Sequence, residues 1–273
     1  MALPSAILNV MANAALKAAK GLVRDFGEVE QLQVSVKGPG DFVSTADRRA
    51  ERTIKSELLR VRPGYGSLFE ESGAEEGTDR RHRFIVDPLD GTTNFLHGIP
   101  HFAISIALES EGEVVAGVVY DPTRDEMFWA EKGAGAFLND HRLRVSARRH
   151  LGEAVIGTGL AARHKGEAED QTGAFAAVTA AAGAVRQTGA AALDLAYVAA
   201  GRYDGFWQKG LSPWDMAAGI VLVREAGGYV SDLGGGREMM ASGEVLAAND
   251  HLHLPLAALV KDALRAVRER KDR

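Results

Sequence analysis

No cysteine occurs in the 273 residues, which excludes disulfides, thiolate metal sites and cysteine nucleophiles and suits a reducing cytoplasm. Nor is there an excess of positive charge. A net charge of -5 and a pI near 5.9 give no general field that attracts nucleic acid or anionic lipid, so an anionic substrate has to be drawn locally. The basic runs Arg80-Arg81-His82-Arg83 and Arg265 to Arg273 read as a loop and as a helix face mixed with acids, and no nucleic-acid partner is expected. Long apolar runs are missing too: Ala174 to Val185 is alanine-rich and short of the roughly 20 residues that span a bilayer. Met1-Ala2-Leu3-Pro4 shows no basic segment followed by an apolar stretch and a small-residue cleavage site, so neither a secretory leader nor a membrane anchor is expected. The eight histidines show no metal-ligand spacing, and His97, His101, His251 and His253 read as solvated or capping residues.

What is present is an ordinary globular composition, 46% hydrophobic and 25% charged, in a chain long enough to bury a full core. It shows no internal repeat and no long linker, so one catalytic domain over 1–273 is expected, in two halves of about 1–145 and about 146–273. Ser5 to Phe26 spaces its apolar residues by three and four, predicting an opening helix capped by Ser5. Val36 to Asp41, with two glycines around Pro39, reads as a loop or hairpin tip. A second helix begins at Ser44 or Thr45, carries Ala50, Ile54 and Leu58 on one face, and has Asp47 in its first turn. From Arg83 short β-type runs follow at Phe84–Val86, Phe102–Leu108, Val114–Tyr120 and Met127–Ala130. The second half alternates strands and helices, giving a layered α/β (α+β) chain.

The stretch Phe84-Ile85-Val86-Asp87-Pro88-Leu89-Asp90-Gly91-Thr92-Thr93-Asn94-Phe95 reads as an apolar strand, a tight turn and a helix start. Pro88 fixes φ and Gly91 tolerates unusual angles, so Asp87 and Asp90 can converge, and two converging carboxylates repel unless a cation lies between them. Magnesium takes oxygen ligands and keeps some waters, so this pair with the Leu89 carbonyl is a suitable partial cage. Behind it, the N–H groups of Gly91 and Thr92 at a helix start form a seat for phosphate. Alone, Asp87 and Asp90 are equally ordinary turn residues. Two further acidic stretches shift that balance. Leu68-Phe69-Glu70-Glu71-Ser72-Gly73 sets two acids after an apolar pair, and Pro213-Trp214-Asp215-Met216-Ala217-Ala218-Gly219 opens an apolar helix with one acid, which in isolation reads as a cap.

Together, Glu70-Glu71-Ser72, Asp87-Pro88-Leu89-Asp90-Gly91-Thr92-Thr93-Asn94 and Trp214-Asp215-Met216-Ala217-Ala218-Gly219 resemble the signatures of the inositol monophosphatase family, in order and spacing. The resemblance covers nearly the whole chain, including Gly189-Ala190-Ala191-Ala192-Leu193-Asp194 and Glu225-Ala226-Gly227-Gly228, and is nearest to bacterial SuhB-like members. It implies an αβαβα sandwich of the inositol monophosphatase and fructose-1,6-bisphosphatase type, a homodimer, and lithium-sensitive hydrolysis of a phosphate monoester with two or three Mg2+ per subunit. By motif position, Glu70, Asp87 and the Leu89 carbonyl hold the first ion, and Asp87, Asp90 and Asp215 the second, while Glu70 also helps a third. Thr92 and Asp47 orient the attacking water. Gly189, Ala190 and Ala191 form the wall facing the substrate ring, and Lys37 approaches the phosphate or the third metal when its loop closes.

The pattern breaks at Gln208, where the animal enzymes carry a glutamate that binds inositol hydroxyls; a broader polyol phosphate is the consequence. Phe69 replaces the glycine usual before the two glutamates, and Asp194 reads as a helix cap ahead of a substrate-orienting group. Rival substrates within the same cage are histidinol phosphate, a sugar bisphosphate or a nucleotide 3'-phosphate. Outside enzymology, the alternative is an RNA- or transcription-associated binding protein with a vestigial metal site.

Overall fold

The computed structural model describes residues 5–28, 34–38, 41–160 and 165–271, and the side chains of all of these except 34–44, 165–170 and 268–271. In chain order the first half holds α1 (Ala6–Phe26), β1 (Val34–Gly38), β2 (Asp41–Ser44), α2 (Thr45–Val61), β3 (Tyr65–Phe69), β4 (Gly73–Glu75), β5 (Asp79–Asp90) and α3 (Thr92–Leu96). β6 (Ala103–Ser110), β7 (Glu113–Asp121), β8 (Glu126–Glu131), β9 (Gly135–Leu138) and β10 (His141–Arg142) follow. The second half holds β11 (Val155–Gly159), α4 (Lys165–Ala181), β12 (Ala184–Arg186), α5 (Ala191–Ala199), β13 (Gly205–Lys209) and α6 (Pro213–Glu225). It ends with β14 (Tyr229–Ser231), α7 (Met239–Ser242), β15 (Glu244–Ala248) and α8 (His253–Lys271).

Ser5 caps α1 as its sequence predicts, its hydroxyl accepting the Leu8 N–H at 3.4 Å. The apolar stripe from Leu8 through Leu22 is buried against α2, whose Ala50, Ile54 and Leu58 face it. Contrary to the expectation that no segment is long and apolar enough to cross a bilayer, α1 meets that test by length and composition. Its alanines count as apolar and its cations, Lys17, Lys20 and Arg24, all lie on the exposed side, while the apolar side is part of the core. β1 and β2 pair antiparallel; Pro39 and Gly40 of the expected loop or hairpin tip lie outside the described residues.

The larger sheet runs β10-β9-β8-β7-β6-β5-β3-β4, antiparallel except for the parallel β3/β5 pair. The smaller runs β12-β11-β13-β15-β14. Period-two alternation sorts the larger sheet's side chains: Phe84, Val86, Ile104, Ile106 and Val118 join the cluster under α1 and α2, while Ile85, Ala103, Ala107 and Val119 join one with α5 and α6. α5 and α6 also meet the smaller sheet, and α4 and α8 cover its far face around Trp207 and Leu246. The layers are therefore αβαβα.

The sequence reading misses the short elements β4, β9, β10, β12 and α7, each of two to four residues, too short for any period to show. It also puts Arg80-Arg81-His82-Arg83 in a loop, whereas these residues open β5. Their charges are paired there: His82 Nδ1 lies 2.8 Å from Asp79, and Arg83 Nε lies 2.7 Å from Glu109 across the β5/β6 ladder.

Candidate active site

β5 does not turn after Val86 as expected but continues through Asp90 with an irregular register. Asp87 opposes Ser105 and Asp90 opposes Ala103, so three steps on β5 match two on β6. In a regular strand side chains three apart point to opposite faces; one extra residue, at Pro88-Leu89, returns Asp90 to the face of Asp87. Pro88 has no N–H to lose from the ladder there. The Asp87 carboxylate holds the bulge by accepting the Leu89 N–H at 2.8 Å.

Asp215 reaches the same point from α6. Its Oδ2 accepts the Ser212 N–H at 2.7 Å, so the capping role read from its position is real, and it is compatible with the second one. Carboxylate oxygens of Asp87, Asp90 and Asp215 lie within 4.8 Å of one another. Asp87 and Asp90 are only 2% and 8% exposed. Burial first, then Glu70, Asp90 and Asp215, push the Asp87 carboxyl well above the usual carboxylate range. Burial, then Asp215, do the same to Asp90, against the Ala192 N–H, which donates to its Oδ2 at 2.8 Å. Buried like charges this close demand either protons or a cation, and an all-oxygen donor set without imidazole or thiolate fits a hard divalent ion. Glu70 stands outside the three-oxygen group but beside Asp87, whose carboxyl its charge helps push up, and its own N–H is tied to Val86 O at 3.1 Å. Phe69 before it is fully buried, with Lys55 Nζ 5.6 Å from its ring centre.

Gly91 follows the bulge with φ +92°, where a Cβ would lie 3.1 Å from His101 O, so no other residue fits this turn without strain. Only five residues of helix come after it, so a phosphate seat here relies on the Gly91 and Thr92 N–H groups themselves more than on the helix dipole expected from sequence. The Thr92 hydroxyl sits 3.1 Å from the fully buried Asp47 carboxylate and 3.0 Å from the Leu89 carbonyl. Asp47, Thr92 and Leu89 are thus brought together, 45 residues apart in sequence for the first pair.

Gly189, Ala190 and Ala191 lead into α5, next to the cage through the Ala192–Asp90 bond. Two residues to which the sequence reading assigned no role fix this wall. The Asn94 amide donates to His101 O and to Thr188 O, both at 2.8 Å, and Thr188 Oγ1 donates to Asp194 at 2.5 Å. Asp194 is therefore no helix cap: it lies inside the first turn of α5, and burial pushes its carboxyl up to about 8. Asn94 sits within the signature stretch, but its partner lies 94 residues away, which no local pattern reveals. Replacing it by alanine leaves one buried and one partly buried carbonyl without this donor and should cost about 2–3 kcal/mol. Urea unfolding should show that loss. Kinetics on the same variant should show KM raised about tenfold, on the scale of one lost hydrogen-bonding contact, with the magnesium requirement nearly unchanged.

Gln208, on β13, lies against Gly159 of the neighbouring strand and makes no hydrogen bond to the cage. Lys37 belongs to β1, and its side chain lies outside the described residues. Two histidines differ from the expected solvated or capping roles. His101 is 9% exposed with its pKa lowered by burial, and His253 is half-buried beside Ser231 Oγ at 3.2 Å.

The match to the Inositol monophosphatase family model runs over residues 4–265. The chain belongs to the inositol monophosphatase family. An Inositol-1-monophosphatase of Mesorhizobium japonicum is 58% identical over 262 residues, 96% of this chain and 98% of its own length. The Nus factor SuhB of Escherichia coli K12 is 43% identical over 258 residues, 94% of this chain and 97% of its own. Among solved structures, the extragenic suppressor protein suhB of Bartonella henselae superposes with a TM-score of 0.92 at 56% identity, covering 94% of this chain and 99% of that one. Family membership makes this a phosphatase fold with a metal-competent acidic site, and the matched span includes every residue from Lys37 to Asp215 discussed above.

Proposed function

We propose that the protein hydrolyses inositol monophosphate, or a closely related polyol phosphate, with magnesium and water. The observation that carries this reading is the convergence of Asp87, Asp90 and Asp215 within 4.8 Å, with the Thr92–Asp47 pair alongside. Glu70, Asp87 and the Leu89 carbonyl would hold one Mg2+, Asp87, Asp90 and Asp215 a second, and Glu70 would help a third. An ion bound there would supply a water acidic enough to lose its proton near neutral pH and would offset charge on the leaving oxygen. The chain's own groups do the rest. Thr92 Oγ1, held by Asp47, orients the attacking water and passes its proton toward the carboxylate. The N–H groups of Gly91 and Thr92 seat the phosphoryl oxygens, so positioning and charge neutralisation supply most of the rate and no protein nucleophile is required. Gly189, Ala190 and Ala191 face the ring, Gln208 exchanges hydrogen bonds with its hydroxyls, and Lys37 closes on the phosphate. Homodimerisation, lithium sensitivity and a cytoplasmic location belong to the same proposal.

Thr92→Val keeps the shape and removes the hydroxyl. It should lower kcat by roughly 10²-fold or more, the scale of a lost proton-transfer partner, while Thr92→Ser keeps most of the rate. Equal rates for the valine and wild-type proteins would remove Thr92 from the chemistry. The substrate is tested by phosphate release from a panel of inositol 1-phosphate, histidinol phosphate, a sugar bisphosphate and a nucleotide 3'-phosphate. Preference for histidinol phosphate would overturn the polyol assignment.

A second reading rests on the relative named Nus factor SuhB, which supports a transcription-associated role for this chain as well. Magnesium-dependent turnover without any partner, suppressed by lithium, favours the enzyme. Absence of turnover with all four acids intact favours the binding protein.

A further inference from the structure

A cleft of about 830 Å³ opens between the β6–β7 turn and the α6–α7 region, within the size range of small-molecule sites. None of the cage acids lines it. Val114, Ile220 and Met239, all at least nine-tenths buried, contribute its apolar lining, and Arg224 and Arg237 stand exposed at its edge. The charges around it are unevenly matched. Arg83 pairs with Glu109 at 2.7 Å, and Glu113 with Lys132 at 2.5 Å. Among the described residues Arg224 and Arg237 make no ion pair within 4 Å, not even with Glu238, which also lines the cleft. Burial of part of the Arg224 side chain holds its guanidinium below the ordinary range, Glu113 pulls it back up, and Arg237 pushes it down again. Two exposed guanidinium groups without an ion-pair partner among the described residues therefore flank an apolar recess, on a chain whose net charge is -5.

We infer that this cleft is a binding site for a small amphipathic anion, one acidic group on an apolar body, distinct from the phosphate-ester site. The guanidinium forks supply paired N–H donors for a carboxylate, sulfonate or phosphate, and an anion there gives these cations the ion-pair partner they lack. Val114, Ile220 and Met239 take the apolar body out of water at roughly 25 cal/mol per Å² buried. A purely inorganic anion would use only the first of these contributions, and a neutral apolar molecule only the second.

The probe is 1-anilinonaphthalene-8-sulfonate, titrated by fluorescence into the full chain in magnesium buffer, with neutral N-phenyl-1-naphthylamine as the comparison. One saturable site for the sulfonate is expected, with the neutral analogue at least tenfold weaker. In the double variant Arg224→Gln/Arg237→Gln the sulfonate should also weaken at least tenfold, whereas Arg80→Gln/Arg81→Gln leaves it unchanged. Thermal unfolding of each variant confirms that the fold is retained, and single Arg224→Gln and Arg237→Gln variants serve if the double does not fold. Equal affinity in wild-type and variant protein, equal affinity for the neutral analogue, or no saturable binding would overturn the site.

Discussion

Asp90→Asn is expected to lower phosphate release by roughly 10²–10³-fold or more, the scale of removing one preorganised electrostatic group from an active site. The argument is local. Asp90 accepts the Ala192 N–H with Oδ2 and also contributes a carboxylate oxygen to the group formed with Asp87 and Asp215. Asparagine can keep the first bond through its carbonyl, so the tie between β5 and α5 and the fold around it survive. What it brings to the cage is an amide with no charge and an N–H₂ that donates where an acceptor is needed. Magnesium affinity should therefore fall together with kcat, while thermal stability without metal should hold or rise, because one of the charges pushing up the Asp87 carboxyl is gone. Phosphate release near the wild-type rate, or a variant that unfolds, would contradict this account of Asp90.

The second large effect is on stability, and it has a definite sign. Asp87 and Asp90 have folded pKa values raised well above the ordinary carboxylate value near 3.8. A group raised in the folded state contributes its stability fully below the unfolded pKa and loses it as pH rises through the folded one. Metal-free protein should therefore lose stability on going from mildly acidic to alkaline buffer, as repulsion among Asp87, Asp90, Asp215 and Glu70 builds up unscreened. Magnesium should reverse this, since on the proposed reading it binds the ionised cage of the folded state and finds no such cage in the unfolded chain. At about 100 times its dissociation constant a ligand adds about 2.7 kcal/mol, which for a chain of this size raises Tm by roughly 5 °C or more. Unfolding followed with magnesium and with EDTA should show a gap in Tm that is small at pH 5 and wide at pH 8. A gap that is wider at pH 5 would mean that these carboxylates do not hold the ion.

Much of the fold was legible because its long elements obey a period. The spacing from Leu8 to Leu22 and the capping serine are local, and so is the alternation of Phe84, Ile85 and Val86 between two cores. Strands of two to four residues carry no period, and the basic opening of β5 looked like a loop because its charges are compensated by Asp79 and by Glu109, 26 residues on. At the site the acids could be read because carboxylates beside apolar strand and helix residues are costly without a purpose. The way they meet could not. The bulge at Pro88-Leu89 shows only in the register against β6, and the Asn94–Thr188–Asp194 chain joins segments far apart in sequence. Asp215 illustrates how a local reading can be right and incomplete, since one oxygen caps α6 and the side chain still joins the cage.

The most direct test of the whole account is where a divalent ion sits. Crystals grown with manganese in place of magnesium, measured near the manganese absorption edge, should give anomalous density between the carboxylates of Asp87, Asp90 and Asp215, with a further peak toward Glu70. Density confined to surface carboxylates, with that cage left bare, would contradict it.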